Sequence, residues 1–265
     1  MILFDREVLR KRRDRAAAGF SEYDFLVREA ADRLTERLDD MARHFPMALD
    51  LGCHTGQVAE IIGGRGGIET LVQSDLSPAM AGLAARTGRA ALAADEEWLP
   101  FAPASFDLVL SCLSLHWVND LPGTLIQIRR MLKPDGLFLA VMPGLGTLAE
   151  LRRALAEADG EAGEAAMRVS PFVDIRDLAG LLQRAGFVQP VVDGDRMVIR
   201  YAEPMRLFAD LRGMGETNLA VARRRAPTRR GILFDGLARY RRDHADADGR
   251  LPATIELLTM TAWAG

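Results

Sequence analysis

Cysteine is nearly absent from this sequence, and its scarcity excludes several kinds of protein. The 265 residues contain only Cys53 and Cys112, and no C-x-x-C pair occurs. Neither a disulfide framework nor a structural zinc site is therefore indicated. Two unpaired thiols are typical of a protein from a reducing compartment, so the cytoplasm is the expected location.

Histidine is also scarce, with four in the whole chain. Non-haem iron that activates oxygen is commonly held by two histidines and one carboxylate. The one H-x-D segment, His244-Ala245-Asp246, has no later histidine that would complete such a set. No resident metal is therefore predicted.

The chain lacks an excess of charge of one sign and lacks long apolar runs. Its 34 basic and 37 acidic residues give a net charge of −3, whereas a dedicated nucleic-acid binder usually has a strong basic excess. No apolar run approaches the ~20 residues that span a bilayer, and the N-terminus lacks the apolar core of a secretion signal. These absences predict a soluble, intracellular, globular protein that does not bind nucleic acid.

A strand, a glycine turn and a helix are predicted around Asp50. An apolar run from Met47 ends in this acid, Gly52 and Gly56 follow, and the helical pattern begins at Gln57. The G-x-x-x-G spacing differs from both the dinucleotide-binding and the phosphate-loop patterns. Glycine accepts positive φ and leaves room for a ligand, and the following helix offers free N–H groups, so the turn predicts a small polar or anionic ligand. Taken alone, such a unit also occurs in proteins that bind nothing there.

Three further predicted strands also end in polar residues. Asp75 ends the second strand 25 residues after Asp50, close to the spacing at which a βαβ unit brings a carboxylate to ribose hydroxyls. Asp95 and Glu96 follow the third strand, and Ser111 lies near the end of the fourth. Ligands of open α/β sheets bind at the carboxyl ends of the strands, so these side chains are predicted to share one crevice.

Five segments in order resemble the motifs of class I S-adenosylmethionine (SAM) methyltransferases: Asp50-Leu51-Gly52-Cys53-His54-Thr55-Gly56, Ser74-Asp75-Leu76-Ser77, Asp95 to Phe101, Ser105 to Val109 and Leu132-Lys133-Pro134-Asp135-Gly136. The resemblance covers residues 46–143 and implies SAM as the cofactor. It implies that Asp50 and the backbone from Gly52 to Gly56 hold the methionine end. It further implies that Asp75 binds the ribose, Leu76 lines the adenine and Asp95 accepts from its amino group.

The predicted SAM-binding set is Asp50, Gly52, His54, Gly56, Asp75, Leu76, Asp95, Glu96 and Ser111. His54 departs from the family pattern, which often has glycine at this position.

A narrower resemblance extends over nearly the whole chain. It is carried by Ser111 to Pro122, Ser170-Pro171-Phe172, Gly213 to Asn218 and Leu251 to Thr254. These segments resemble bacterial counterparts of the methyltransferase-like assembly factor of respiratory complex I, an arginine hydroxylase, and its relatives that methylate malonyl carrier protein.

Methyl transfer is the expected function. One alternative is arginine hydroxylation or assembly of a complex I subunit, and another is a noncatalytic SAM-binding chaperone. His116 and Trp117 are predicted on the substrate side, against the alternative that Trp117 is core and His116 a surface or cap residue.

The expected fold is a doubly wound, mostly parallel α/β sheet with an antiparallel C-terminal strand. Residues 1–45 are predicted as a helical extension, 46–203 and 250–265 as the SAM-binding domain, and 204–249 as a helical insertion. The basic residues of 5–15 are interpreted as a solvated helix face, and a capping box is predicted at Ser21-Glu22-Tyr23-Asp24. Residues 144–171 are predicted to be a mobile or helical insertion over the pocket, and 188–192 and 197–201 to be two strands. The cluster Arg223-Arg224-Arg225 with Arg229-Arg230 suits a solvated face or, alternatively, a docking surface for an acidic partner or RNA.

Overall fold

A computed structural model describes residues 2–164, 166–224 and 226–265. Arg225, one member of the predicted arginine cluster, lies outside the described residues, as do Met1 and Ala165. Within the cluster, Arg223 approaches Asp5, while Arg224 and Arg229 both approach Glu164. These ion pairs agree with a charged surface that is partly neutralised by its own acids.

Within the described ranges, seven strands form one sheet: β1 (Met47–Leu51), β2 (Thr70–Asp75), β3 (Ala91–Ala93), β4 (Phe106–Cys112), β5 (Leu132–Pro143), β6 (Val188–Tyr201) and β7 (Leu251–Trp263). The strand order is β3-β2-β1-β4-β5-β7-β6. The first five strands are parallel, and β7 runs antiparallel to both β5 and β6. The predicted doubly wound sheet with an antiparallel C-terminal strand is confirmed.

Helices cover the two faces of the sheet and form its N-terminal cover: α1 (Arg6–Ala16), α2 (Phe25–Glu36), α3 (Gln57–Ile61), α4 (Pro78–Ala84), α5 (Leu121–Met131), α6 (Ala149–Glu161), α7 (Ile175–Arg184), α8 (Pro204–Gly213) and α9 (Arg230–His244). Short 3-10 turns occur at Ala17–Glu22, Arg65–Gly67, Ala85–Thr87 and Leu115–Trp117. One buried cluster packs α2, α3, α6 and α9 against one face of the sheet, and a second packs α5 and α7 against the other. The central strands β1, β4 and β5 are therefore largely buried from both sides, as continuous apolar runs require, whereas β6 at the sheet edge is largely exposed.

Two local predictions are wrong. Residues 188–192 and 197–201 belong to one strand, because Asp193, Gly194 and Asp195 pair with β7 without a break. The turn-forming residues are held extended by this long-range pairing. The predicted capping box is also absent, since residues 17–22 form a 3-10 turn and Asp24 is the N-cap of α2 without a side-chain cap bond.

The region after β5 contains a helix, as predicted for 144–171. α6 lies against α9 of the predicted insertion, and both pack on the cluster that covers the sheet. The predicted turn from Lys133 to Gly136 is a bulge at the start of β5, where the register with β4 jumps from Leu132 to Leu137. The division of the chain into an extension, a SAM-binding domain and an insertion stays a prediction.

Phe138 of β5 is a large side chain in the core that packs against the sheet. This side chain is fully buried and stacks on Phe187 with ring centroids 5.5 Å apart. We expect Phe138→Ala to lower the free energy of unfolding by about 3–5 kcal/mol, because a large cavity replaces the ring. Urea denaturation measures the loss. Trp98→Ala is the matched control: Trp98 is 79% exposed, so its truncation should cost less than about 0.5 kcal/mol. Equal losses in both variants would contradict the assignment of Phe138 to the core.

Candidate active site

The carboxyl edge of the sheet brings Asp75 next to the glycine turn that follows β1. Asp75 ends β2 and is fully buried. Its Oδ2 atom accepts a hydrogen bond from the backbone N–H of His54 at 3.1 Å, and its Oδ1 atom accepts one from the backbone N–H of Ser77 at 2.8 Å. Two loops thus fix the carboxylate against the turn, as the predicted crevice requires.

Arg13 of α1 reaches the same carboxylate, so the interpretation of this helix as a purely solvated face is wrong. The Arg13 side chain is fully buried, and its Nη1 atom lies 3.4 and 3.3 Å from the two Asp75 oxygens. Its Nη2 atom donates to the Ser114 hydroxyl at 3.2 Å. A guanidinium in α1 therefore holds the carboxylate that was predicted to bind ribose.

A second arginine of α1 engages the acids that follow β3. Arg6 forms ion pairs with both Asp95 and Glu96. Burial alone would raise the pKa of Glu96, but the charges of Arg6 and Arg13 and the hydrogen bonds of Arg6 and Ser114 lower it to about 2. Glu96 is therefore ionised at neutral pH and depends on the arginines that neutralise it.

Asp50 has a different environment, although it lies on the adjacent strand. It is fully buried, and neither carboxylate oxygen has a hydrogen-bond partner among the described residues. Burial, followed by the negative charge of Asp75, raises the pKa of Asp50 to about 8. A buried acceptor without a donor is costly, so this carboxyl group suits a ligand that brings a cation or N–H group.

The glycine turn is closed by protein atoms. Gly52 has φ of +77°, and a Cβ atom there would lie 2.1 Å from the Cβ atom of Ser114. The sequence predicted that glycine leaves room for a ligand at this point. In the structure the missing side chain admits Ser114, whose hydroxyl joins Arg13 and Glu96.

His54 fills the position that is often glycine in the family. It takes a φ of 50°, its Nε2 atom lies 3.0 Å from the Cys112 carbonyl oxygen, and its ring stacks on Phe20. Burial lowers the pKa of His54, and the positive charge of Arg13 lowers it further. The neutral ring thus forms a wall between the turn and an adjoining cavity.

Two other predicted cofactor residues are held by protein contacts. Leu76 packs beside a buried cluster that contains Leu9 of α1 and Trp117. Ser111 is fully buried and donates its hydroxyl to the Leu51 carbonyl at 2.7 Å, which links β4 to β1. Their roles in cofactor binding stay predictions.

A cavity of about 170 Å³ adjoins the turn on the side of His54. Its walls are mainly apolar and include Phe20, Leu113, Leu151, Val169, Phe172 and Ile255. His116 and Trp117 line it together, and their place on the substrate side stays a prediction. Trp117 is also 2% exposed and packs edge-on against Phe4, so the core interpretation holds for part of its ring.

Glu216 is the charged group that joins these two side chains. Its Oε2 atom accepts from His116 Nε2 at 3.0 Å and from Trp117 Nε1 at 2.6 Å, whereas its buried Oε1 atom has no partner in the described part of the chain. Burial would raise the pKa of Glu216, but the hydrogen bond and charge of His116, with the charge of Arg13, lower it overall. The cavity therefore contains an ionised carboxylate with one free oxygen.

The fold and the edge site together define a class I methyltransferase architecture. A model of the "Methyltransferase domain" family matches residues 49–140. A Haemonchus contortus phosphoethanolamine N-methyltransferase 2 solved with SAM superimposes with a TM-score of 0.59 at 19% identity, covering 96% of this chain and 59% of that one. This likeness shows the shared fold.

Sequence relatives extend the comparison along the whole chain. The zebrafish (Danio rerio) protein named arginine-hydroxylase NDUFAF5, mitochondrial, is 40% identical and covers 99% of this chain and 83% of the relative. A malonyl-[acyl-carrier protein] O-methyltransferase of Methylovorus is 36% identical and covers 98% of this chain and 90% of the relative. The chain belongs to the SAM-dependent methyltransferase family that contains both, and SAM is its cofactor.

The residues at the strand ends fit SAM in part. The unpartnered Asp50 carboxylate suits the ammonium group of its methionine end. The acceptors predicted for adenosine, Asp75 and Asp95, are present but paired with arginines of α1. No helix in the described ranges is long and apolar enough to cross a membrane, and those ranges contain no group of three or more potential metal ligands.

Sequence reasoning missed Arg13, Ser114 and Glu216. Arg13 follows Leu9 by four residues, so helical spacing puts both on one face, and Leu9 is 1% exposed. That spacing was a usable signal for a buried arginine. Glu216 lies in the segment Gly213 to Asn218 that carried the narrower resemblance, but its meeting with His116, 100 residues away, has no local signal.

The raised pKa of Asp50 predicts a pH-dependent stability. The folded protein keeps a proton on Asp50 up to about pH 8, whereas the unfolded chain releases it near its ordinary pKa of 3.8, so stability falls as pH rises between these values. We expect Asp50→Asn to raise the melting temperature by about 5 °C or more at pH 8 and by little at pH 4. Calorimetry across this range tests it, with exposed Asp40→Asn as control. A pH-independent difference would contradict the assignment.

The predicted ribose contact can be tested at Asp75. We expect Asp75→Ala to weaken SAM binding by about tenfold or more, because a charged hydrogen-bond acceptor for the ribose is lost. Titration calorimetry measures the affinity, and exposed Asp40→Ala should bind SAM as the unmodified protein does. Unchanged affinity of Asp75→Ala would sink the ribose assignment.

Proposed function

We propose that the protein transfers the methyl group of SAM to a nitrogen atom that enters the cavity beside Glu216. The observation that carries this proposal is the free Oε1 atom of an ionised, partly buried carboxylate in a mainly apolar cavity. A group that offers an N–H donor or a positive charge would satisfy that oxygen. The methyl acceptor is therefore an amine or a guanidinium.

Charge complementarity favours nitrogen over a carboxylate acceptor. A carboxylate that entered beside Glu216 would meet a like charge in a poorly solvated site. Arg168 also lines the cavity, but its guanidinium is already paired with Asp159. The name of the malonyl-carrier-protein relatives describes methylation of oxygen, and the free carboxylate supports a different acceptor for this chain.

The side chains around the cavity supply orientation, exclusion of water and a proton acceptor. When bound, SAM supplies an electrophilic methyl group. The nitrogen that receives it loses one proton, and Oε1 of Glu216 is the base that lies free to hold that proton. His116 and Trp117 keep Glu216 oriented through its other oxygen, while the apolar walls keep water away from the reacting atoms.

Arginine hydroxylation of a protein substrate is the second candidate. The relatives named arginine-hydroxylase are 40% identical over almost the whole chain, and Glu216 with the face of Trp117 suits a guanidinium equally well. The substrate would then be a subunit of respiratory complex I, and deletion of the gene in its host would reduce complex I. No feature of the cavity favours the third reading, a noncatalytic SAM-binding chaperone. Both cysteines are buried free thiols, which suits action in the cytoplasm.

Glu216→Gln tests the assignment of the acceptor site. We expect turnover to fall about a hundredfold, because the amide removes the proton acceptor, while SAM binding stays unchanged. Mass spectrometry of products formed from SAM and host-cell extract identifies the reaction: a gain of one methyl group supports transfer, and a gain of one oxygen on arginine supports hydroxylation. Exposed Glu22→Gln is the matched control. Full turnover by Glu216→Gln would put the acceptor site elsewhere.

A further inference from the structure

Helix α1 has two arginines at the positions where adenosine should meet the sheet. Arg13 contacts both oxygens of Asp75, and Arg6 pairs with Asp95. Asp14 of the same helix accepts the hydroxyl hydrogen of Ser77, two residues beyond Asp75. The helix therefore occupies the predicted ribose and adenine contacts through charged groups of its own.

We propose that α1 is a lid that occupies its own cofactor site, and that Arg13 and Arg6 must leave Asp75 and Asp95 before SAM can bind there. The proposal rests on the SAM dependence of the proposed function. It adds that the free protein is closed by contacts that compete directly with the adenosine half of the cofactor.

An exchange of hydrogen-bond donors at Asp75 lowers the free-energy cost of opening α1. Asp75 is fully buried and accepts from the backbone N–H groups of His54 and Ser77, which leaves its negative charge to be stabilised by a further donor. In the closed form Arg13 donates to both of its oxygens, and in the open form the vicinal hydroxyl groups of ribose can donate in its place. In the closed form the Arg13 side chain is fully buried and the Arg6 side chain is only 12% exposed, so both regain hydration when α1 leaves.

The lid also contacts the segment that carries Glu216. Arg12 donates to the carbonyl oxygens of Thr217 and Asn218 at 2.9 and 3.0 Å. The backbone N–H of Asp5 donates to the Leu219 carbonyl at 3.1 Å. Displacement of α1 therefore loosens the segment after Glu216, so cofactor entry and the acceptor cavity are coupled through one helix.

A reversible disulfide between Asp14→Cys and Ser77→Cys tests whether α1 must move. These side chains are in contact, and the bond would hold Arg13 beside Asp75. We expect the oxidised double variant to bind SAM at least about tenfold more weakly than the same protein after reduction, a loss measured by titration calorimetry. The unmodified protein, treated with the same oxidant, is the control, since its two cysteines are buried.

The outcomes separate the lid from the cofactor assignment. Equal SAM affinity of the oxidised and reduced variant would overturn the lid and leave the proposed function standing. Failure of the reduced variant and of the unmodified protein to bind SAM would overturn the proposed function itself.

Arg13→Met supplies a second test that does not depend on the disulfide. Removing the competing guanidinium should speed SAM association about tenfold, the factor expected if about one molecule in ten is open. It should also speed backbone amide exchange at residues 217–221 in the absence of SAM. Lys11→Met removes the same charge from the exposed side of α1, where Lys11 pairs with Glu7, and should leave both rates unchanged. Slower association in Arg13→Met would show that Arg13 helps to bind SAM and would overturn the lid.

Discussion

Buried negative charge at the carboxyl edge of the sheet is the constraint on which the rest of the site depends. Parallel strands deliver Asp50, Asp75 and Glu96 to one edge, and all three are fully buried. An isolated carboxylate in such a place is strongly unfavourable, so each must gain a cation, gain hydrogen-bond donors or keep its proton. The three acids meet this requirement differently. Glu96 and Asp75 are paired with arginines of α1, whereas Asp50 has a raised pKa.

That difference separates the two halves of the cofactor site. The Asp50 oxygens have no partner among the described residues, so the predicted contact of the methionine end of SAM is an acceptor that needs a donor. The predicted contacts of adenosine, Asp75 and Asp95, already pair with arginines of α1. In the proposed arrangement, SAM gains a new contact at one end and exchanges donors at the other. A helix outside the sheet thereby influences a site that the sheet defines.

The ends of the strands could be predicted because short sequence patterns specify them. The side chains that cover these ends come from distant segments and could not be predicted in this way. Apolar runs predicted β1, β2 and β4, and the acids that end β1 and β2 predicted the convergence of Asp50 with Asp75, since parallel strands present their carboxyl ends on one side. Arg13 was assigned to solvent because its neighbours in sequence are charged, although its spacing from Leu9 pointed inward. The continuous path of β6 and the pairing of Glu216 with His116 arise between distant segments, which local patterns do not report.

The candidate site combines residues of the sheet with residues of the segments that cover it. Asp50 and Asp75 lie on strands, where a change of position would disturb the core of the sheet. Glu216 lies after α8, in a part of the chain outside the sheet, and lines the cavity beside His116 and Trp117. Residues in such a segment can change charge or position without loss of the strand pairing. In the proposed function, the methyl acceptor therefore meets a residue outside the sheet, whereas SAM meets the ends of the strands.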